Sequence, residues 1–259
     1  MGARYETQVA DNPLHGLALE EDLDIRDPLR HYMGIESSDS TVVQSYSMLP
    51  EQRYSVQNDL IKLPLGQRSD TPEIVLTLAI SAREGCGGVA WPAGQVLADY
   101  LIEKGSGFLK GKTILELGSG TGLVGLAAAI LGGHVWITDQ APLLDIMRRN
   151  VILNDLSQEV TVAELDWGLP IPESIPKPDI ILAADCVYFE PAFPLLVKTL
   201  ADLSDTSTEI LFCYKKRRKA DKRFFVLLKK AFTWTEVLDD PARSIYSRDA
   251  ISLLRLVKR

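Results

Sequence analysis

The sequence predicts an α/β fold: a doubly wound, mainly parallel sheet of seven strands with one antiparallel strand, preceded by an N-terminal β-hairpin. Three observations carry this expectation. From residue 113 onward short apolar runs alternate with helical stretches, the pattern of parallel strands joined by crossover helices. The run Ile114-Leu115-Glu116-Leu117-Gly118-Ser119-Gly120-Thr121-Gly122 reads as a buried strand ending in a carboxylate, then a glycine-rich turn, then a helix. The last two apolar runs, 232–238 and 251–257, are joined by a loop with no helix between them, which suits an antiparallel pair.

Taken in order, residues 1–50 are acidic and irregular, with Glu20-Glu21-Asp22 and Ser37-Ser38-Asp39-Ser40. Such a segment buries little apolar surface and is expected as an extension, partly disordered or draped over the core. A second unit spans 51–259. It opens with β-branched-rich runs at 53–64 and 73–80, joined by the polar link Leu65-Gly66-Gln67-Arg68-Ser69-Asp70, which together read as a hairpin over 53–80. Gly87-Gly88-Val89-Ala90-Trp91-Pro92 then leads into a helix over 93–104, with Pro92 where helix starts favour proline. A Rossmann-like core follows over 92–259, with parallel strands at 113–117, 134–138, 161–164, 179–184 and 209–214 and helices at 122–131, 141–154 and 191–203. A helix over 219–231 precedes the final strand pair.

Composition sets bounds on function. At 259 residues, 46% hydrophobic and 24% charged, the chain has the make-up of an ordinary globular protein, and no apolar run reaches the ~18 residues of a membrane span. No apolar segment of signal-peptide type opens the chain. Cys86, Cys186 and Cys213 are odd in number and lack a CxxC spacing, which points to a reducing compartment, the cytoplasm, rather than to zinc or disulfides. A net charge of −7 argues against nucleic acid as a direct substrate. The basic run Lys215-Lys216-Arg217-Arg218-Lys219, continued by Lys222 and Arg223, has two readings: the solvated start of a helix, or a docking patch for an acidic surface.

The glycine turn also satisfies a dinucleotide fingerprint through Gly120-x-Gly122-x-x-Gly125, and charge separates the possibilities. A pyrophosphate beside Glu116 needs a nearby cation, and Gly118 to Gly125 contains no Lys or Arg. S-adenosylmethionine has no phosphate and carries a sulfonium and an ammonium, which a carboxylate-rimmed pocket favours. Glu116, Gly118, Ser119 and Gly120 are therefore expected at a methyl-donor site.

Asp139 ends the second strand of the core about 20 residues past the turn, where such folds place an acid to accept ribose hydroxyls; it also suits the N-cap of the following helix. Asp166-Trp167 follows the third strand and supplies an acceptor and a flat wall for adenine, although a tryptophan here also suits the core. Asp185-Cys186-Val187-Tyr188 follows the fourth strand, beside the donor's methyl group. Methyl transfer needs an oriented nucleophile, loss of its proton and exclusion of water. Asp185 is expected to orient an amine and Tyr188 to wall it, the alternative being a helix cap and a packing residue. Trp91 suits either a lid over the cofactor or a core position at a helix start. His15, His31 and His134 have no metal-ligand spacing, and no metal is expected.

These residues together resemble the family 16 protein methyltransferases, seven-stranded S-adenosylmethionine enzymes that mostly methylate lysine in non-histone proteins. The likeness runs from the Trp91 loop through Glu116-Leu117-Gly118-Ser119-Gly120-Thr121-Gly122, Asp139, Asp166-Trp167 and Asp185-x-x-Tyr188 to the chain end, about two-thirds of the sequence. It implies that Trp91, Gly118 to Gly120, Asp139, Trp167 and Ala184 line the cofactor site and that Asp185 and Tyr188 meet the target amine, with S-adenosylhomocysteine as product. Ala184-Asp185-Cys186-Val187-Tyr188-Phe189-Glu190-Pro191 and Cys213-Tyr214-Lys215-Lys216-Arg217-Arg218 look most like fungal lysine methyltransferases acting on translation elongation factor 1-alpha. The resemblance implies a protein partner; a monomer with no membrane association is expected. A small-molecule N-methyltransferase and a non-catalytic S-adenosylmethionine-binding scaffold are the alternatives. A nucleic-acid or glutamine methyltransferase suits a Pro-Pro-Tyr motif where Cys186-Val187-Tyr188 stands.

Overall fold

The computed structural model describes residues 59–66, 74–81 and 87–259. The expected extension over 1–50, the start of the hairpin before residue 59 and its polar link after Gly66 lie outside the described residues.

Strands β1 (Asp59–Leu65) and β2 (Ile74–Ile80) form an antiparallel hairpin in which Leu63 faces Leu76 and Leu65 faces Ile74. Their inward side chains Leu63, Leu65, Leu76 and Leu78 are fully buried, whereas Leu60 and Val75 are exposed. This is the period-two alternation of a sheet with one covered face. The hairpin does not join the main sheet. It docks on helix α1 (Pro92–Lys104) and on α4 (Leu144–Leu153).

The main sheet has the strand order β5-β4-β3-β6-β7-β9-β8. Its parallel part comprises β3 (Thr113–Leu117), β4 (His134–Asp139), β5 (Val160–Glu164), β6 (Ile180–Ala184) and β7 (Glu209–Lys215). The last strand in sequence, β9 (Ile251–Lys258), runs antiparallel between β7 and β8 (Phe232–Glu236). This is the expected doubly wound sheet with one reversed strand. β3 and β6 are apolar almost throughout because helices cover both faces. Helices α1, α3 (Leu123–Ile130) and α4 contribute to one core layer, and α5 (Phe193–Leu203) and α6 (Asp221–Leu228) to the other; short α2 (Ser106–Leu109) and α7 (Arg243–Tyr246) complete the chain.

Four helices are shorter than expected: α3 loses one residue at each end of 122–131, and α5 starts at Phe193 after a 3-10 turn over Glu190–Ala192. The 141–154 stretch divides into a 3-10 turn over Ala141–Leu143, holding Pro142, and α4 proper. The helix expected over 219–231 begins only at Asp221, because Arg217 and Arg218 are committed to other contacts and both donate backbone N–H to Asp221 Oδ2 at 3.0 Å. The chain runs outward from β3 to β5 on one side and from β6 to β7 on the other. The order reverses between β3 and β6, and ligands of such sheets bind in the crevice at the carboxyl ends there.

Candidate active site

A cleft of about 480 Å³ opens at that reversal point, within the ~300–1,000 Å³ of small-molecule sites. All eleven residues singled out from sequence line it: Trp91, Glu116, Gly118, Ser119, Gly120, Asp139, Asp166, Trp167, Ala184, Asp185 and Tyr188. Gln140, Leu143, Phe189 and Leu195 also line it and were not anticipated. Gln140 was one step away in sequence from Asp139, whereas Leu195 reaches the cleft only because α5 folds back over Gly168. Among the described residues no Lys or Arg side chain lines the cleft, while Glu116, Asp139, Asp166 and Asp185 do.

The turn after β3 is built for close approach. Gly118 has φ +62° and Gly120 φ +54°, conformations that L side chains resist. A Cβ on Gly118 would lie 2.9 Å from the Trp167 ring, and one on Gly120 would lie 2.7 Å from the Gly87 carbonyl oxygen. Glycine therefore lets Trp167 rest on the turn and lets residue 87 close against it. Ser119 is a staple: its N–H donates to the Thr138 carbonyl at 3.0 Å, and its hydroxyl accepts the Thr138 N–H at 2.9 Å. Asp139 Oδ2 accepts the Gly120 N–H at 2.8 Å and Oδ1 the Gln140 N–H at 2.8 Å, so this carboxylate braces the turn instead of capping a helix. Gln140 Nε2 donates to Asp166 Oδ1 at 3.0 Å, which ties the second and third strand ends together across the cleft.

Glu116 is 3% exposed, and its Oε2 accepts the Gly125 N–H at 2.9 Å at the start of α3. Burial pushes its carboxyl up to about 8, against the opposing pull of the Gly125 N–H and Ser119. The folded state thus keeps this proton over a pH range in which the unfolded chain, near 4.5, has lost it. By linkage the Glu116 contribution is fully present below pH ~4.5 and is lost as pH rises towards ~8, with a slope of at most about 1.4 kcal/mol per pH unit. Glu116→Gln keeps an acceptor for Gly125 and should remove this decline. The melting temperature of the variant is expected to gain on the parent steadily from pH 5 to about pH 8; a pH-independent difference would refute the assignment.

Asp185 has φ +54°, an unusual conformation for a non-glycine residue. Its N–H donates to the Cys213 carbonyl at 2.9 Å, and its carboxylate turns towards the end of β7. There Oδ1 accepts the Lys215 N–H at 3.0 Å and Arg217 Nη1 at 2.8 Å, and Oδ2 accepts Arg217 Nη2 at 3.0 Å. It caps no helix. The Arg217 guanidinium carbon lies 5.7 Å from the centre of the Trp91 ring, a cation–π distance. Cys186 Sγ points to the Leu117 carbonyl, and burial pushes its thiol well up, so it offers no nucleophile.

The basic run separates by residue type. Arg217 pairs with Asp185, Arg218 with Asp221 and Arg223 with Glu190, whereas Lys216, Lys219 and Lys222 are exposed. No cluster of His, Cys, Asp and Glu able to hold a metal occurs among the described residues, and none of their helices is long and apolar enough to cross a membrane.

A family model described as lysine methyltransferase matches residues 70–231, which spans the cleft from the Trp91 loop to the end of α6. The chain belongs to the lysine methyltransferase family. Protein-lysine N-methyltransferase EFM6 of Saccharomyces cerevisiae is 40% identical over 202 residues, covering 68% of this chain and 82% of the relative. Protein N-lysine methyltransferase METTL21A of Danio rerio is 41% identical over 174 residues, covering 65% and 79%. EEF1A lysine methyltransferase 3 of Xenopus tropicalis is 38% identical over 149 residues, covering 57% and 66%. Among solved structures, a Thermus thermophilus 16S rRNA N2 G1207 methyltransferase in complex with AdoMet and guanosine is similar in fold, with a TM-score of 0.52 at 19% identity over 77% of this chain and 51% of that one. This lysine methyltransferase thus places every residue expected from its motifs around one acidic cleft.

Proposed function

We propose that this lysine methyltransferase transfers a methyl group from S-adenosylmethionine to the ε-amino group of a lysine on translation elongation factor 1-alpha, acting in the cytoplasm as a monomer on the folded protein. The observation that carries the cofactor reading is the charge of the cleft: Asp139 and Asp166 line it unopposed, Asp185 is offset by Arg217, Glu116 keeps its proton, and no Lys or Arg side chain lines it among the described residues, which suits a sulfonium and an ammonium and not a pyrophosphate. Gly118 and Gly120 lack the Cβ atoms that would fill the cradle, Asp139 offers acceptors to ribose hydroxyls, and Asp166 and Trp167 flank the adenine position. When bound, the donor supplies an electrophilic methyl group on sulfur. The chain's own part is to hold the amine in line, accept no competing water and let the amine lose its proton, for which Ala184, Asp185, Tyr188 and Phe189 form the wall at the end of β6.

The elongation-factor assignment is supported by the relatives named EEF1A lysine methyltransferase 3 and by the likeness of the Asp185-x-x-Tyr188 segment to enzymes of that substrate. The exposed Lys216, Lys219 and Lys222 suit an acidic surface on a protein partner. Residues 51–259 are proposed as the methyltransferase domain and 1–50 as an extension to it. Transfer of labelled methyl into purified elongation factor 1-alpha tests the reading. One labelled lysine, silenced by its replacement with arginine, is expected; label that persists on the arginine variant, or that enters only small molecules, would overturn it.

The ribose role of Asp139 has its own expected result. Asp139→Ala removes a charged acceptor worth about 1.5–3 kcal/mol, so donor affinity by calorimetry should fall about 10- to 100-fold. Unchanged affinity would remove Asp139 from the cofactor site.

A further inference from the structure

Arg217 entered the sequence reading as one cation in a basic run, yet the fold withdraws it from the surface. Its side chain is 10% exposed and forks onto both oxygens of Asp185, whose side chain is 2% exposed. The backbone is committed to this pairing: the left-handed φ at Asp185 is held by Cys213 and by the Lys215 N–H, both at the end of the strand that leads into Arg217. Among the described residues Arg217 is the one side-chain cation hydrogen-bonded to Asp185. Among the described residues, the other ionisable groups around Asp185 are Cys186 and Tyr188 on its own turn, Cys213 and Lys215 on β7, and Glu116, Asp139 and Asp166 across the cleft.

Methyl transfer sets a conflict at this point. A buried carboxylate beside the target would attract a lysine, but would also hold it as an ammonium ion with no lone pair to attack. An opposite charge at ~4–6 Å raises an amine's pKa by about 1–3 units. We propose that Arg217 is a positioning residue that offsets the charge of Asp185 at the acceptor end of the cleft, so that the target lysine is held there as a neutral amine. The planar fork fixes the carboxylate while the guanidinium face supports Trp91, so one side chain sets both the charge and the wall of the acceptor end. This role rests on the lysine-methylation reading above.

The test is the pH dependence of single-turnover methylation of elongation factor 1-alpha at saturating S-adenosylmethionine, where the rising limb reports loss of the amine proton. In Arg217→Gln the limb should move up by about 1–2 pH units. Arg217→Lys, which keeps the charge, should stay near the parent. Asp185→Asn should move the limb down, and the double variant Asp185→Asn with Arg217→Gln should bring it back towards the parent, since the charge is balanced again. A limb that stays in place or falls in Arg217→Gln would overturn the proposal. Should that variant be too unstable to turn over, Asp185→Asn decides alone, and a limb that does not fall would overturn it. A parent enzyme that methylates no lysine of this substrate at any pH would instead sink the function reading.

Discussion

Asp185→Ala is expected to reduce turnover far more than donor affinity and to destabilise the fold by about 3–5 kcal/mol, the cost of leaving one partner of a buried pair without the other. The loss has two sources. The guanidinium of Arg217 is left buried with its two carboxylate acceptors gone, and the Lys215 N–H loses its partner as well. Alanine also tolerates the left-handed backbone at this position less well than aspartate. With ~5–15 kcal/mol available to a typical domain, a purified variant should remain folded at low temperature but unfold at markedly lower urea. Donor affinity should fall far less than rate, because the Gly118–Gly120 turn and Asp139 are braced independently of Arg217. An Asp185→Ala enzyme with parental stability would show that the ion pair contributes nothing. One whose donor affinity fell in step with its rate would place Asp185 in the cofactor pocket.

The second large effect lies outside the lining of the cleft. Asn150→Asp, on α4, should cost as much as the first and should also weaken donor binding. Asn150 is fully buried: its Oδ1 accepts the Ala79 N–H at 2.6 Å, and its Nδ2 donates to the carbonyls of Ala79 at 3.1 Å and Thr121 at 2.9 Å. One side-chain amide thus continues the hydrogen-bonding edge of β2 and ties it to the glycine turn. One turn later Asn154 treats Thr77 in the same way. Aspartate keeps the acceptor but presents oxygen to two carbonyl oxygens, leaving a buried charge with no donor for its second oxygen. A loss on the order of 3–5 kcal/mol follows. Hydrogen exchange should show the β1–β2 amides losing protection first, with calorimetry reporting weaker S-adenosylmethionine binding through the released Thr121 carbonyl. A variant with parental protection in the hairpin would contradict this coupling. Asn154→Asp, only partly buried, should cost less.

Much of this was legible in the residues themselves. The alternation of apolar runs with helical stretches predicts the parallel sheet. The helix-free link before β9 predicts the reversed strand. Every candidate site residue except Trp91, which stands at the start of α1, was found because it lies at or just after the carboxyl end of a strand, and in a parallel sheet all strand ends of that kind meet at one edge. Asn150 in α4 and Asn154 at its C-cap did leave a signal: they stand four apart, and Asn150 shares its face with Ile146, Met147 and Val151. That spacing marks a buried polar stripe, but the strand it serves is 71 positions away for Asn150 and 77 for Asn154. Periodicity along one helix carries no information about that partner.

What the sequence determined by itself, then, was whatever depends on neighbours in the chain: the strand and helix order, the turn that only glycines can make, and the acidic character of the cleft. Tertiary structure alone decided which charges face one another. In the linear chain Asp185 is an unpaired carboxylate and Arg217 is one of seven clustered cations; in the fold, 32 residues apart, they neutralise each other at 2.8 and 3.0 Å. The same packing turned Glu116 inward to the Gly125 amide and left Lys216, Lys219 and Lys222 to the solvent. The physical reason is the range of the forces. Backbone conformation and periodicity are settled within a few residues, whereas a charge in a low-dielectric interior is settled by whichever partner the topology brings within hydrogen-bonding distance.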